Sequence, residues 1–280
     1  MSGIVFGPAG NSEAFYEEGH KHTYEAPQWL FDMGLTAFEY SFGRGARLKE
    51  ETGAKIRAEA ERCGIAMSVH APYYINLAND KFDKNLEYFY EASVSGSYLG
   101  AKRVVFHPGS QGKLERKEAF KTVKANLAGI MAKLKAEGFN SLIYCAETMG
   151  KINQIGDLNE IIELCGVDDA VYPAIDFGHL NARTLGGLNS KDAYVKVLDA
   201  LENGVGHEKY SRMHIHFSHI QYTAGGEKMH LTFEDEEYGP FWEPLAALIK
   251  ERKLAPVVIC ESKGTQARDA ASMKEVYEKL

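Results

Sequence analysis

Cysteine is scarce in this chain. Cys63, Cys145, Cys165 and Cys260 are the only four in 280 residues, and no two form a Cys-x-x-Cys pair. That spacing excludes a paired-thiolate zinc knuckle and a dithiol redox motif, and it gives no disulfide framework. Cys145 and Cys260 lie inside apolar runs, where a free thiol behaves as a small hydrophobe. Reduced cysteines of this kind predict a cytoplasmic protein. Positive charge is also in deficit, with 32 Lys and Arg against 39 Asp and Glu and a net charge of −7. No global basic field exists for non-specific nucleic-acid binding, although a local basic patch is compatible with an acidic whole. No apolar run reaches the ~18 residues of a membrane span. The start, Met1-Ser2-Gly3-Ile4-Val5-Phe6-Gly7-Pro8, lacks the charged head and long apolar stretch of a signal peptide. No membrane partner is therefore expected. No Gly-x-Gly-x-x-Gly follows the first strand signal, so the dinucleotide-binding fingerprint is absent.

What the chain does have is one construction repeated. Ile65-Ala66-Met67-Ser68-Val69 ends in His70 and is cut by Pro72. Val104-Val105-Phe106 ends in His107, Leu142 to Ala146 ends in Glu147, and Tyr172 to Ile175 ends in Asp176 with His179 three residues on. Met213 leads into His214-Ile215-His216, and Val257 to Cys260 ends in Glu261. Six short apolar runs thus close on a histidine or an acid. Two further strand signals, Ile4-Val5-Phe6 and Ala37 to Phe42, precede them.

Helical periodicity fills the gaps. Residues 12–33 are helix-favouring, with a break or new start at Pro27. Residues 48–63, 84–99, 114–137, 158–164, 191–202, 240–250 and 268–279 follow the same reading, the third of these with Phe120, Val123, Leu127, Ile130 and Leu134 on one stripe. Eight strands alternating with eight helices imply parallel pairing and right-handed crossovers. A length of 280 residues suits one closed (β/α)8 barrel spanning residues 1–280.

In such a barrel the C-terminal ends of the strands converge on one mouth. Glu39, His70, His107, Glu147, Asp176, His179, His214 or His216, His230 and Glu261 would meet there. Imidazoles and carboxylates in one cleft are ligands for zinc or a similar borderline metal. Buried together without a cation they would be costly, and more than four such groups argue for more than one ion. Any one strand-end histidine, taken singly, is more often structural than ligating; the joint pattern carries the argument. Glu39 is the weakest member of the set. His219 lies on the opposite parity from His214 and His216, which suits a loop role better than ligation.

The runs His70-Ala71-Pro72-Tyr73, Ile75-Asn76-Leu77, Phe106-His107-Pro108-Gly109, Glu147-Thr148, Asp176-Phe177-Gly178-His179 and Glu261-Ser262 together resemble the endonuclease IV family. The resemblance covers nearly the whole chain. It implies a (β/α)8 barrel, two or three zinc ions, and hydrolysis of the phosphodiester 5′ to an abasic site in damaged double-stranded DNA, by a monomer. On the family pattern His70, His107 and Glu147 hold one ion. Glu147, Asp176, Glu261 and a strand-seven histidine hold a second. There Met213-His214-Ile215 favours His214, while His216 points to the same side. His179 and His230 hold a third. The family has an Asp two residues before its last histidine; here that place is Lys228, and Glu227 or the run Glu234-Asp235-Glu236-Glu237 would have to substitute. The resemblance makes Glu147 the bridging catalytic carboxylate and gives Glu261 a part in orienting the attacking water. Arg44 and Arg47 after the second strand, and Tyr73 and Tyr74 after the third, suit phosphate contact and base stacking. The chain also resembles xylose isomerase-like barrels, in which a Glu, Asp, His, Glu set surrounds one manganese or cobalt ion. Glu147, Asp176, His214 and Glu261 satisfy that pattern, and manganese is the alternative metal.

Overall fold

The computed structural model describes residues 3–43 and 45–280. Eight parallel strands form one sheet: β1 Val5–Pro8, β2 Ala37–Ser41, β3 Ala66–His70, β4 Arg103–Phe106, β5 Ile143–Glu147, β6 Val171–Asp176, β7 His214–Phe217 and β8 Val257–Cys260. Their order is sequential, with β8 returning to pair with β1. The seam between β1 and β2 is closed by Thr36 N–H donating to the Phe6 carbonyl at 2.9 Å and Gly10 N–H donating to the Glu39 carbonyl at 2.8 Å. Gly7 makes this approach possible. A Cβ there would lie 1.8 Å from the Ala37 carbonyl oxygen.

Alternation along the strands sorts side chains into two populations. Phe6, Phe38, Val69, Val104, Phe106, Tyr144, Ile175, Ile215, Phe217 and Val258 point outward and join the large core under the helices. The inward side holds two small apolar clusters, Val5, Ala37, Ala66 and Ile259 on one side and Val105, Cys145, Tyr172 and Ala174 on the other. The rest of the inward side is polar and buried: Glu39, Ser68, Arg103, His214 and His216. All four cysteines are buried and unpaired.

The helices fall close to the periodic segments. The segment 12–33 divides as Pro27 implies, into Glu13–Glu17 and Ala26–Asp32. Residues 191–202 extend to a longer helix, Lys191–Ser211, with non-helical backbone at Gly206. A short helix, Phe177–Arg183, begins directly on the end of β6. A hairpin of Ile220–Thr223 and Gly226–His230 follows β7. No helix among the described residues is long and apolar enough to cross a membrane.

Candidate metal centre

Several of these side chains are delivered in a fixed orientation, because the other side of the group is already bonded. The His70 Nδ1–H donates to the Ala71 carbonyl at 2.8 Å, which leaves Nε2 facing Glu147 Oε2 at 2.9 Å. His107 Nε2 lies 3.1 Å from the same oxygen. Asp176 caps the helix it begins, accepting the His179 backbone N–H on Oδ1 at 2.8 Å. That cap turns the first helical turn back over the mouth. The His179 Nδ1–H is anchored on the Thr148 carbonyl at 2.9 Å, and Nε2 faces Glu227 Oε2 at 3.5 Å. His230 is anchored through Nδ1 on Ser218 Oγ at 2.8 Å. His216 Nδ1 lies 3.4 Å from Glu147 Oε1 and 3.5 Å from Glu261 Oε1.

Three donor groups result at the mouth: His70, His107 and Glu147; Glu147, Asp176, His216 and Glu261; and His179, Glu227 and His230. A fourth, Glu39, His214 and His216, lies beneath them inside the barrel. Glu147 is central. Its Oε2 faces His70 and His107, while its Oε1 faces His179 at 3.2 Å and His216.

The donors fit a divalent metal. Imidazole nitrogen and carboxylate oxygen are the ligands such ions take. A neutral His70 that donates through Nδ1 turns a lone pair, not a proton, toward the Glu147 carboxylate, and a cation between them resolves that opposition. Glu147 Oε1, Asp176 Oδ2 and His216 Nδ1 are buried without an aligned hydrogen-bond partner in the protein. A cation among these atoms would satisfy them.

The metal-free electrostatics show the same strain. Burial, with the Glu147 and Asp176 carboxylates alongside, pushes Glu261 up to about 8, only partly opposed by His216. Against the pull of burial, His107 and His216 hold Glu147 well below the usual carboxylate range. Burial is likewise overcome at His216, which the surrounding Glu261, Glu39 and Glu147 raise well above the ordinary imidazole value. At His107 burial wins and lowers it. Groups of one site are thus driven in opposite directions, as expected where a cation's charge is part of the design.

The structure separates the two strand-seven histidines. His216 joins Glu147, Asp176 and Glu261, while His214 lies one layer deeper, with Nε2 3.0 Å from Glu39 Oε2. At the third group Lys228 is exposed and Glu227 faces His179. The reason is a bulge. Gln221 pairs with Met229 but Tyr222 pairs with Glu227, so Lys228 is an extra residue. Three residues apart, Glu227 and His230 would face opposite sides of a regular strand; the bulge brings them to one side. Gly150 leaves room for this, since a Cβ there would meet the Glu227 Cβ at 2.6 Å and the His179 Cδ2 at 3.0 Å.

Around the donors is a cleft of about 440 Å³, walled by Tyr73, Met149, Lys151 and Gln154. Tyr73 stacks on His107 with centroids 5.5 Å apart and touches the His70 ring at 4.9 Å, so it belongs to the metal centre's wall. Tyr74 packs edge-on against Tyr88. Arg47 is exposed but paired with Glu91 at 2.7 Å and Glu87 at 3.7 Å. Arg44 lies outside the described residues. Arg183 donates to the carbonyls of Met149, Lys151, Ile152 and Gln154 and so pins the loop beside the cleft. His219 sits apart from the donors, stacked on Phe233, with its Nδ1–H donating to the Asp235 carbonyl at 2.7 Å.

An eight-stranded α/β barrel with a histidine–carboxylate cluster at the C-terminal mouth defines the class. The sequence matches the family described as xylose isomerase-like TIM barrel over residues 27–279, and the chain belongs to that family. An uncharacterized protein of Methanocaldococcus jannaschii is 32% identical over 280 residues, covering 99% of this chain and 98% of its own. A probable endonuclease 4 of Thermoplasma volcanium is 26% identical over 203 residues, 68% of each chain. Among solved structures, endonuclease IV from Thermus thermophilus superposes with a TM-score of 0.68 at 20% identity, over 94% of this chain and 96% of that one. D-psicose 3-epimerase from Clostridium cellulolyticum superposes equally well, at 0.68 and 12% identity over 99% of both. These two likenesses concern the fold alone.

Two features of the centre are only faintly marked in the sequence. In the sequence Glu39 is an isolated strand-end acid; in the fold it is fully buried between two histidines. Glu227 was one of several candidate carboxylates. The bulge that selects it depends on hairpin pairing and left no mark in the local sequence.

Proposed function

We propose that this chain is a metal-dependent phosphodiester hydrolase that cleaves DNA at abasic sites. One observation carries the reading: the two oxygens of Glu147 face different donor groups, so that this residue would help to hold two neighbouring cations. Cations held there would supply charge stabilisation to the phosphoryl oxygens and lower the pKa of a water toward neutrality. The protein's own contribution is positional. Glu147 ties the donor groups together, and Glu261, beside the same oxygens, is placed to orient a water. His70, His179 and His230 keep their Nε2 atoms aimed inward through the Nδ1 anchors described above. Tyr73 covers one flank of the centre and limits solvent access. Zinc suits this nitrogen-rich set, with manganese as the alternative. The relationship to proteins named endonuclease 4 supports the choice of substrate.

The test is direct. Zinc-loaded protein should nick plasmid carrying abasic sites and leave intact plasmid alone, and EDTA should stop the reaction. Fully metallated protein that leaves abasic plasmid uncut would end this reading.

A second reading is a sugar isomerase or epimerase with one ion. Glu147, Asp176, His216 and Glu261 form a complete four-residue set by themselves. Basic side chains at the cleft are also few: Arg183 beside it is committed to four carbonyls, and Lys151 is the cation that lines it among the described residues. Metal content separates the two readings: two or three ions per chain support the nuclease, one supports the isomerase.

A further inference from the structure

We infer that Glu39, on the far side of the barrel from β7, is the positioning residue for His216 and sets which of its ring nitrogens faces the metal centre. The inference rests on reading Glu147, Asp176, His216 and Glu261 as ion donors. The other anchored histidines of the centre, His70, His179 and His230, bond two backbone carbonyls and a hydroxyl, and the His179 Nδ1 also lies 3.1 Å from Asp176 Oδ2 and 3.2 Å from Glu147 Oε1. His216 differs in having a carboxylate, Glu39, on the side of the ring turned away from Glu147 and Glu261. Its Nε2 lies 3.0 Å from Glu39 Oε1, and its Nδ1 faces Glu147 and Glu261. Neither ring nitrogen of His216 has an aligned hydrogen-bond partner in the protein, and neither does Glu39 Oε1; a proton on Nε2, on the carboxylate's side, leaves the Nδ1 lone pair free to ligate. Glu39 is itself held on its other oxygen. Ser68 Oγ donates to Oε2 at 2.8 Å, and His214 Nε2 lies 3.0 Å from that same atom. Glu39, His214 and His216 are fully buried, and Ser68 is nearly so, so no solvent competes for these contacts. This also gives His214 a place, as the outer partner of Glu39 rather than a ligand at the mouth.

The arrangement makes an asymmetric prediction for the isosteric change. In Glu39→Gln the amide oxygen stays with Ser68, which donates to it. The NH2 group is then turned to His216, where it needs an acceptor. His216 must accept on Nε2 and carry its proton on Nδ1, toward the ion, and ligation by Nδ1 is lost.

The experiment compares zinc-loaded wild type, Glu39→Gln, Ser68→Ala and His214→Asn by competition with a chelator, counting ions per chain. Nitrogen-15 NMR of the imidazoles reports the tautomer of His216. Glu39→Gln should weaken one ion by roughly 10–100-fold, the range for outer partners of ligating histidines, and move the His216 proton from Nε2 to Nδ1. Ser68→Ala should weaken the same ion by less, and it carries the test if Glu39→Gln does not fold. Unchanged retention with an unchanged tautomer in Glu39→Gln overturns the inference. So does loss of a whole ion in His214→Asn with the mouth ions intact, which would make Glu39, His214 and His216 an ion site of their own. Wild type that retains no ion defeats the metal reading itself and is distinguishable from both.

Discussion

At the residue scale the molecule turns on Glu147. Its two oxygens meet four imidazoles, so one substitution reaches more than one donor group. Glu147→Gln removes the charge and replaces one acceptor by a donor. It should release more than one ion per chain, and abasic-site nicking should fall by at least about 100-fold, beyond what loss of an outer partner causes. Elemental analysis and a plasmid assay on the same preparation check both effects. A residue far from the centre gives an independent pH prediction. Tyr144 is buried, and its phenol donates to Ser93 Oγ at 2.9 Å, Ser93 itself donating to the Phe89 carbonyl. Burial pushes the phenol from 10 up to about 12, against the pull of that hydrogen bond. The unfolded chain loses this proton near pH 10 and the folded chain keeps it longer. The stability is therefore whole below pH 10 and is lost as pH rises toward 12. Tyr144→Phe should cost about 1 kcal/mol at neutral pH and respond less steeply between pH 10 and 12. Denaturant titrations at several alkaline pH values decide it; parallel losses in both proteins would clear Tyr144 of the effect.

At the scale of elements, strands and long helices were legible because their signals are local. An apolar run ending in His70 or Glu147 is a buried strand reaching a polar mouth, and the stripe Val123, Leu127, Ile130 and Leu134 is a helix face wherever it packs. The short helix Phe177–Arg183 was not read separately, since seven residues carry too little periodicity and its cap, Asp176, is also the end of β6. The hairpin bulge was invisible for a stronger reason: an extra residue exists only relative to a partner strand. Lys228 therefore offers a clean comparison. Lys228→Ala should leave metal content unchanged, because the side chain is exposed. Deleting Lys228 should regularise the hairpin and turn Glu227 or His230 away, with loss of the third group's ion and an unchanged circular dichroism spectrum. Equal ion counts in the two variants would show that the bulge does not select Glu227.

At the scale of the whole molecule, the inward side of the barrel is unusually rich in ionisable groups, with Glu39, Glu147, Asp176, His214 and His216 fully or almost fully buried. Ions that bind only the folded chain stabilise it by mass action, about 2.7 kcal/mol for each site at one hundred times its dissociation constant. Chelation should therefore lower the melting temperature and added zinc should restore it. A melting curve indifferent to EDTA would mean that the cluster holds no ion. The sequence by itself determined the alternation of strands and helices, the polar character of the strand ends and the convergence of His70, His107, Glu147, Asp176 and Glu261. All of these follow from local pattern and from the one geometry that eight β/α units close into. Only the tertiary structure decided that His216 rather than His214 meets those carboxylates, that Glu227 stands where Lys228 cannot, and that Glu39 backs His216 from across the barrel. Those choices depend on barrel stagger and hairpin register, which arise from pairing between strands distant in the chain and leave no trace in any one stretch of it.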